Sequence, residues 1–529
     1  MQNQGFSQSE NELLKLKELV KSQDQKIQEL NQSIANNKQF IEQLKEALLL
    51  AKAKRFGFSA ESYIDTDNPQ ISLFDEAEVS SDESTEKSQE TVVSTHTRKK
   101  NKGKRKALPD YLPRQTVEHR LSEDDLTLDN GLKYEEIGSI ESEQLEIIPA
   151  DVKVIKHVRY KYAVKGYEEN GVIVAPIIGQ VIPKSVASNG LLAHIVQSKY
   201  AYHLPLYRQQ EIWKDLEVDL SRASMSRWMV QLGGMVQPVI DDILEQIKLQ
   251  PYVQVDETTV RVLDNPSKSG KGYMWVYHNN AVGCVFQYKE DRSGLNALEV
   301  LEDYQGYVQS DDFSGYSRVC TPGSNRISVG CWAHARRKFI DVAKALSKKG
   351  SKGHVHEFIE LIKKLYAIEA KARSDGRTPE QLYGIRQIKA VPILEKIKAK
   401  LDDVVLRTPP KGLLGKAIYY TLDNWQQLNN YTKAGYLPID NNAIENKIRP
   451  FAVGRKNWLF SGSEKGAQSS ANLFTLVENA KMFNLKIFDY LKYVFDHIAT
   501  AKTDKDFEAL TPKYAQQFVA KVDKNKSKK

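Results

Sequence analysis

Three carboxylates stand in three different local contexts in the second half of the chain, and their types suit one kind of chemistry. Asp256 lies in PYVQVDETTVRVL, Asp311 in GYVQSDDFSGY and Glu445 in LPIDNNAIENKIRP. The runs before both aspartates are rich in β-branched and aromatic residues, so each aspartate is expected to project from the C-terminal end of a strand. Glu445 follows a helix-start signal, Asp440-Asn441-Asn442, and its neighbours Ala443, Ile444 and Ile448 fit one helical face. Two strand-end aspartates and a helical glutamate can converge on two magnesium ions about 4 Å apart, the arrangement used for in-line displacement at a phosphodiester. Each acid has a competitor nearby: Glu257, Asp312 and Asp440. Side chains alternate faces along a strand, so one member of each adjacent pair faces the site; Asp256 and Asp311 are the members chosen.

Such a triad needs a sheet to hold it. The pattern predicts strands over 273–277 and 284–288, a helix over 295–304, the strand that delivers Asp311, and a further strand over 326–332. That is the order of a ribonuclease-H-like α/β domain, here split into 241–345 and 432–485 by an all-helical insertion over 346–431. Downstream of Glu445, the cations Arg449, Arg455 and Lys456 and the indole of Trp458 could hold a DNA backbone and stack on a base. Trp458 has the core as its other fate. Cys331 and His334 have the spacing of half a metal site, but no second pair accompanies them, so a structural zinc is not expected there.

The rest of the chain has the marks of a multidomain protein, as 529 residues would suggest. Over 1–56, Leu13, Leu16, Val20, Ile27, Leu30, Ile34, Ile41, Leu44 and Leu48 form a heptad seam with Gln23 and Asn37 in the missing positions. This predicts a coiled coil and a homo-oligomer. Residues 57–107 have no periodic apolar face and end in a basic run from Arg98 to Lys106, so they are expected to be a disordered linker. Short alternating segments predict a small β-rich domain over 108–185. Residues 186–240 predict a helix-turn-helix, with Ser221 capping a second helix that buries Met225, Trp228 and Met229. Its other face would present Arg222, Ser224, Ser226 and Arg227 to a major groove. A C-terminal helix and basic tail fill 486–529. A net charge of +8 suits a polyanionic partner, and three scattered cysteines exclude a disulfide framework. With no apolar run of membrane-spanning length and no signal-peptide core, the expected location is the cytoplasm and no membrane partner is expected.

The segments LPDYLPR, LLAHIVQSKYAYHLPLYRQ, VDET, QSDDFSGY, CWAHARRKF and DNNAIENKIRPFAVGRKNWLFSG together resemble the transposases of the insertion-sequence-66 family of bacterial mobile elements, a branch of the DDE transposases. The likeness runs from RFGFSAES near Arg55 to about Leu485. It implies that Asp256, Asp311 and Glu445 are the DDE triad, holding magnesium or, in its place, manganese. Cys331 and His334 would be an ordering pair before the last acid. The implied activity is hydrolysis at the terminal inverted repeats of the mobile element, followed by joining of the freed 3′-hydroxyl to target DNA. Partners would be both DNAs and accessory proteins of the same element, at the nucleoid. Relatives carry a cysteine-based zinc segment before the helix-turn-helix; here Val164 and Tyr167 stand where two ligand cysteines would be, so no zinc is expected. The alternatives are a metal-dependent nuclease that cuts without joining and a non-catalytic DNA-binding regulator.

Overall fold

The computed structural model describes residues 20–34, 37, 41, 152–158, 160–163, 172–174, 179–266, 270–311, 313–346 and 353–519. Two units divide the chain, Ser81–Ile177 and a larger one formed by Met1–Ser80 with Ile178–Lys529. In the smaller unit β1 (Lys161–Ala163) pairs antiparallel with β2 (Val172–Val174). Most of the expected β-rich domain, the linker at 57–107, Asp312 and the basic tail from 520 lie outside the described residues. So does most of the expected coiled coil. Within it, residues 20–34 are helical, and the seam residues Val20, Ile27, Leu30 and Ile34 are exposed.

The larger unit contains a five-stranded mixed sheet in the order β5-β4-β3-β6-β7. The strands are β3 (Tyr252–Arg261), β4 (Lys271–Asn279), β5 (Gly283–Lys289), β6 (Gly306–Gln309) and β7 (Arg326–Val329). β3, β4 and β5 form an antiparallel meander, whereas β6 and β7 run parallel to β3. Val253, Val255, Val276, Val285 and Phe286 are fully buried, as expected of strands covered on both faces.

Before the sheet come α1 (Asn189–Tyr200), α2 (Leu206–Asp215), α3 (Arg222–Met235) and α4 (Gln237–Lys248). After β5 and before β6 comes α5 (Gly294–Val300), which stops short of the predicted 304. Trp332 does not end a strand: β7 stops at Val329, and Trp332 opens α6 (Trp332–Leu346). The insertion continues with α7 (His354–Ser374), α8 (Pro379–Ile385), a π-helical turn at Arg386–Ala390, α9 (Val391–Val405) and α10 (Leu413–Asp423). The chain then returns to the sheet as α11 (Asn442–Trp458) and α12 (Glu464–Met482), followed by α13 (Ile487–His497) and α14 (Asp504–Leu510).

Two buried clusters result. One joins Leu192, Met225, Trp228 and Ile243 to Val276, Phe286, Phe474 and Leu491, so the helices over 186–240 share a core with the sheet. The other belongs to the insertion and is built around Phe339, Phe358, Ile362, Ile397 and Leu401. α12 solves a specific problem of the first core. β5 is an edge strand, and an edge leaves alternate backbone groups unpaired. Asn479 accepts from Cys284 N and donates to Cys284 O, Thr475 accepts from Phe286 N, and Gln468 accepts from Tyr288 N. The helix thus satisfies the groups that a sixth strand would have paired. The approach is close enough that Gly283, at φ +147°, has no room for a Cβ, which would lie 2.2 Å from Asn479 Oδ1. No helix among the described residues is long and apolar enough to cross a membrane.

Candidate active site

The two aspartates sit where β3 and β6 part. The last parallel pair is Gln254 with Gln309; β6 ends there, and Asp311 lies two residues beyond. Asp256 is not at the end of its strand, because β3 runs on to Arg261 with β4 as its partner. It lies at the C-terminal edge of the parallel half of the sheet. Glu445 comes from the first turn of α11, whose Ile444 and Ile448 are buried as the helical reading anticipated.

Two positions before each aspartate stands a buried glutamine, a pair that the sequence reading missed. Gln254 Nε2 donates to Gln309 Oε1 at 2.7 Å and to Asp440 O at 3.3 Å, and Gln309 Nε2 donates to Pro438 O at 2.9 Å. Both are fully buried. Each precedes its aspartate by two positions, and on β3 that spacing puts Gln254 and Asp256 on one face. The same amides therefore join the two strands and hold the segment that leads into α11. A repeated Gln-x-Asp, in QVD and again in QSD, was the available signal.

Charge in the site is poorly balanced. Burial, and then the neighbouring charges of Asp311, Glu257 and Glu445, push the Asp256 carboxyl well above its ordinary value. Burial also raises Glu445, with Arg337 opposing and Asp440 and Asp311 adding to the rise. Arg337 Nη2 is 4.0 Å from Glu445 Oε2, and His334 Nε2 is 3.8 Å from Glu445 Oε1, a buried atom that receives no hydrogen bond. Acceptor-only carboxylates that repel one another, one of them with a buried oxygen left unbonded, form a donor set that fits a hard divalent cation. Glu257 is different. Its side chain is 1% exposed, and Arg292 Nε and Tyr316 OH each reach it at 2.5 Å. It is fully engaged in holding the turn after Asp311 to β3, with Arg292 also stacked 3.8 Å over the Phe313 ring.

The sequence-named DNA contacts divide. In α3, Ser221 accepts from Ser224 N, and Met225, Trp228 and Met229 are buried. Arg222, Ser226 and Arg227 are exposed, while Ser224 is half-buried and bonded to Ser221 and Arg227. Lys456 is exposed and Arg449 half-buried. Arg455 is anchored on β3 by bonds to the Thr258 and Thr259 hydroxyls. Trp458 packs against Tyr200 and Phe451 at centroid distances of 6.0 and 6.1 Å, so its ring serves the core. The exposed apolar side chains at this corner are Leu459, held at φ +64°, and Phe460.

A sequence model of the Transposase IS66 family matches residues 184–469, a span that includes all three carboxylates and the glutamine pair. The chain belongs to the IS66 transposase family. Two further models match this IS66 protein, one described as transposase C of IS166 homeodomain over 43–117 and one as the zinc-finger binding domain of transposase IS66 over 130–163. The second corrects the expectation that no zinc is bound. That expectation weighed cysteine alone, whereas zinc also takes imidazole and carboxylate donors, and 130–163 contains His157, Glu141, Glu143 and Asp151. Among relatives, an uncharacterized protein y4jD of Sinorhizobium fredii is 32% identical over 77% of this chain and 81% of its own length. A second from the same organism, y4qI, is 32% identical over 72% of each chain, and a third, y4hP, is 26% identical over 74% of each.

Proposed function

We propose that this IS66-family protein is a DDE transposase whose ribonuclease-H-like sheet carries Asp256, Asp311 and Glu445 as its catalytic triad. The observation that carries the reading is the convergence of the three carboxylates, each within electrostatic reach of the others. The sheet order, with an antiparallel meander followed by two parallel strands, is what a ribonuclease-H-like domain requires.

In this reading the triad holds magnesium, which when bound would activate the attacking water and stabilise the leaving oxygen. The chain's own residues do the positioning. Gln254 and Gln309 fix the two aspartates relative to the entry into α11. Arg337, half-exposed beside Glu445, supplies positive charge where a scissile phosphate would approach. Arg222, Ser226 and Arg227 on α3 and the basic run at Arg98–Lys106 hold the DNA ends through their phosphates. Hydrolysis breaks a P–O bond and frees a 3′-hydroxyl, which then displaces an oxygen at a target phosphodiester. The exposed apolar seam over Val20–Ile34 would pair two or more copies, so that both ends of the mobile element are held in one assembly. Accessory proteins of the same element and a nucleoid location in the cytoplasm complete the proposal.

The test uses labelled duplexes carrying the element's terminal inverted repeat, incubated with magnesium and a target plasmid. Wild-type protein is expected to nick and to join. Asp256→Asn and Glu445→Gln are expected to bind the ends but to nick at least about a hundred- to a thousandfold more slowly. Nicking retained by either variant overturns the triad, and nicking without joined product reduces the enzyme to a nuclease.

A further inference from the structure

Cys331, His334 and Glu445 form a second donor set that overlaps the first. Cys331 immediately precedes α6, His334 lies one turn inside it, and Glu445 faces them from the first turn of α11. One donor atom from each, the Cys331 Sγ, an imidazole nitrogen and a Glu445 oxygen, lie within 4.8 Å of one another. The His334 Nε2 to Glu445 Oε1 distance is 3.8 Å. A tetrahedral ion bound at roughly 2.0 Å to nitrogen and oxygen and 2.3 Å to sulfur needs its donors about 3.5 Å apart. The three atoms would have to close by about an ångström, a shift that side-chain torsions can supply.

None of these atoms is committed elsewhere in a way that forbids binding. The buried Glu445 Oε1 and His334 Nδ1 make no hydrogen bond, and the hydrogen bonds to the Cys331 sulfur, from Asn441 N at 3.5 Å and from the His334 backbone N–H, would equally support a thiolate. Asn441 stands at the N-cap position of α11, so its bond already ties the two helix starts together. Sulfur, imidazole and a single carboxylate are the donors of a borderline divalent ion such as zinc, with a fourth position left open, whereas magnesium takes oxygen alone.

We propose that Cys331, His334 and Glu445 bind a zinc-class ion, separately from whatever residues 130–163 bind. The consequence rests on the triad reading: a soft ion held here competes with Asp256 and Asp311 for Glu445, withdraws the third carboxylate from them and turns cleavage off. Glu445 would act as a selector between an active hard-metal form and an idle soft-metal form.

The probe is cobalt(II), titrated into the full-length protein and followed by absorption. A cobalt ion bound to thiolate gives an intense sulfur-to-metal charge-transfer band, and the segment 130–163 contains no cysteine that could produce one. The wild type is expected to show a saturable band that zinc bleaches. Cys331→Ser should abolish the band, His334→Asn and Glu445→Gln should weaken cobalt binding at least tenfold, and Cys284→Ser should leave it intact. Circular dichroism checks that each variant is folded, and the partly exposed His334 serves if Cys331→Ser does not fold. Absence of the band, or its persistence in Cys331→Ser, overturns the site. A band that depends on Cys331 in protein that never nicks DNA upholds the site and sinks the catalytic reading, so the two failures are distinct. Zinc that bleaches the band without inhibiting magnesium-dependent nicking overturns the selector role.

Discussion

The sheet and the helical insertion bury charge in opposite ways. In the insertion, Arg386 is 1% exposed and meets both oxygens of Glu369 at 2.9 and 2.8 Å. Its remaining donors go to the carbonyls of Tyr431, Ala434 and Leu437. At the sheet, Asp256, Asp311 and Glu445 share space with one another, and the cations near Glu445, Arg337 and Arg449, do not offset the burial and repulsion that raise it. A charge that is fully satisfied is a structural device, while like charges left to repel one another are a site prepared for something that arrives later. The insertion is also not remote from the chemistry. Arg386 grips the backbone over 431–437, the segment that feeds Asp440 and then Glu445.

The largest effect is therefore expected from Arg386→Met. Removing the cation leaves Glu369 buried without its partner and three carbonyls without their donor, which should cost about 3–5 kcal/mol. Denaturant unfolding measures the loss, and hydrogen exchange should place it in α7, α9 and 431–441 rather than in β3–β5. Glu369→Gln combined with Arg386→Met should recover part of it. If the single variant is as stable as the wild type, the contrast between the two regions collapses.

A second effect sharpens the contrast through pH. His278 on β4 is buried against Gly283 O and Asn280, and burial pushes its imidazole down to about 4 from an ordinary 6.5. The unfolded chain takes up this proton below pH 6.5 and the folded chain does not until about pH 4, so the contribution is present above 6.5 and is lost as pH falls through this window. The full loss is about 3 kcal/mol. Asp256 and Glu445 act with the opposite sign, because a raised carboxyl retains its proton in the fold and loses stability as pH rises. Comparing the wild type with His278→Gln cancels those terms. The stability difference between them should be constant above neutrality and should shift in favour of the variant on acidification; a difference independent of pH would sink the account.

The legibility of these features followed the range of the interactions. Ser221 as a cap, the buried face of α3 and the helical setting of Glu445 depend on residues within a turn or two, and local spacing revealed them. The middle of β3 looked like its end because the apolar run stops at Asp256, while the rest of the strand is held by β4, whose register no local pattern states. Trp458 could be assigned to DNA or to the core only once Tyr200, far upstream, was seen beside it. Glu369 on α7 and Arg386 at the start of the π-helical turn are 17 positions apart on separate helices, outside any ordinary helical spacing. The zinc expectation rested on the cysteines missing at Val164 and Tyr167, whereas the zinc-finger match rests on the segment 130–163 as a whole.

The smallest effect in free energy tests the least conspicuous part of the site. Gln309→Leu keeps the volume of the side chain but removes its bonds to Gln254 and Pro438 O, at a cost of about 1–3 kcal/mol. Because those bonds connect β6 to the approach to α11, the loss should appear less in global stability than in metal use. The magnesium concentration giving half-maximal nicking should rise by about tenfold or more, the scale on which supporting hydrogen bonds tune a metal site. Gln254→Leu should match it, and the double variant should be little worse than either single one, since one amide contact is shared. Additive losses would show that the two glutamines act separately, each on its own strand, and that the entry into α11 is held by the insertion alone.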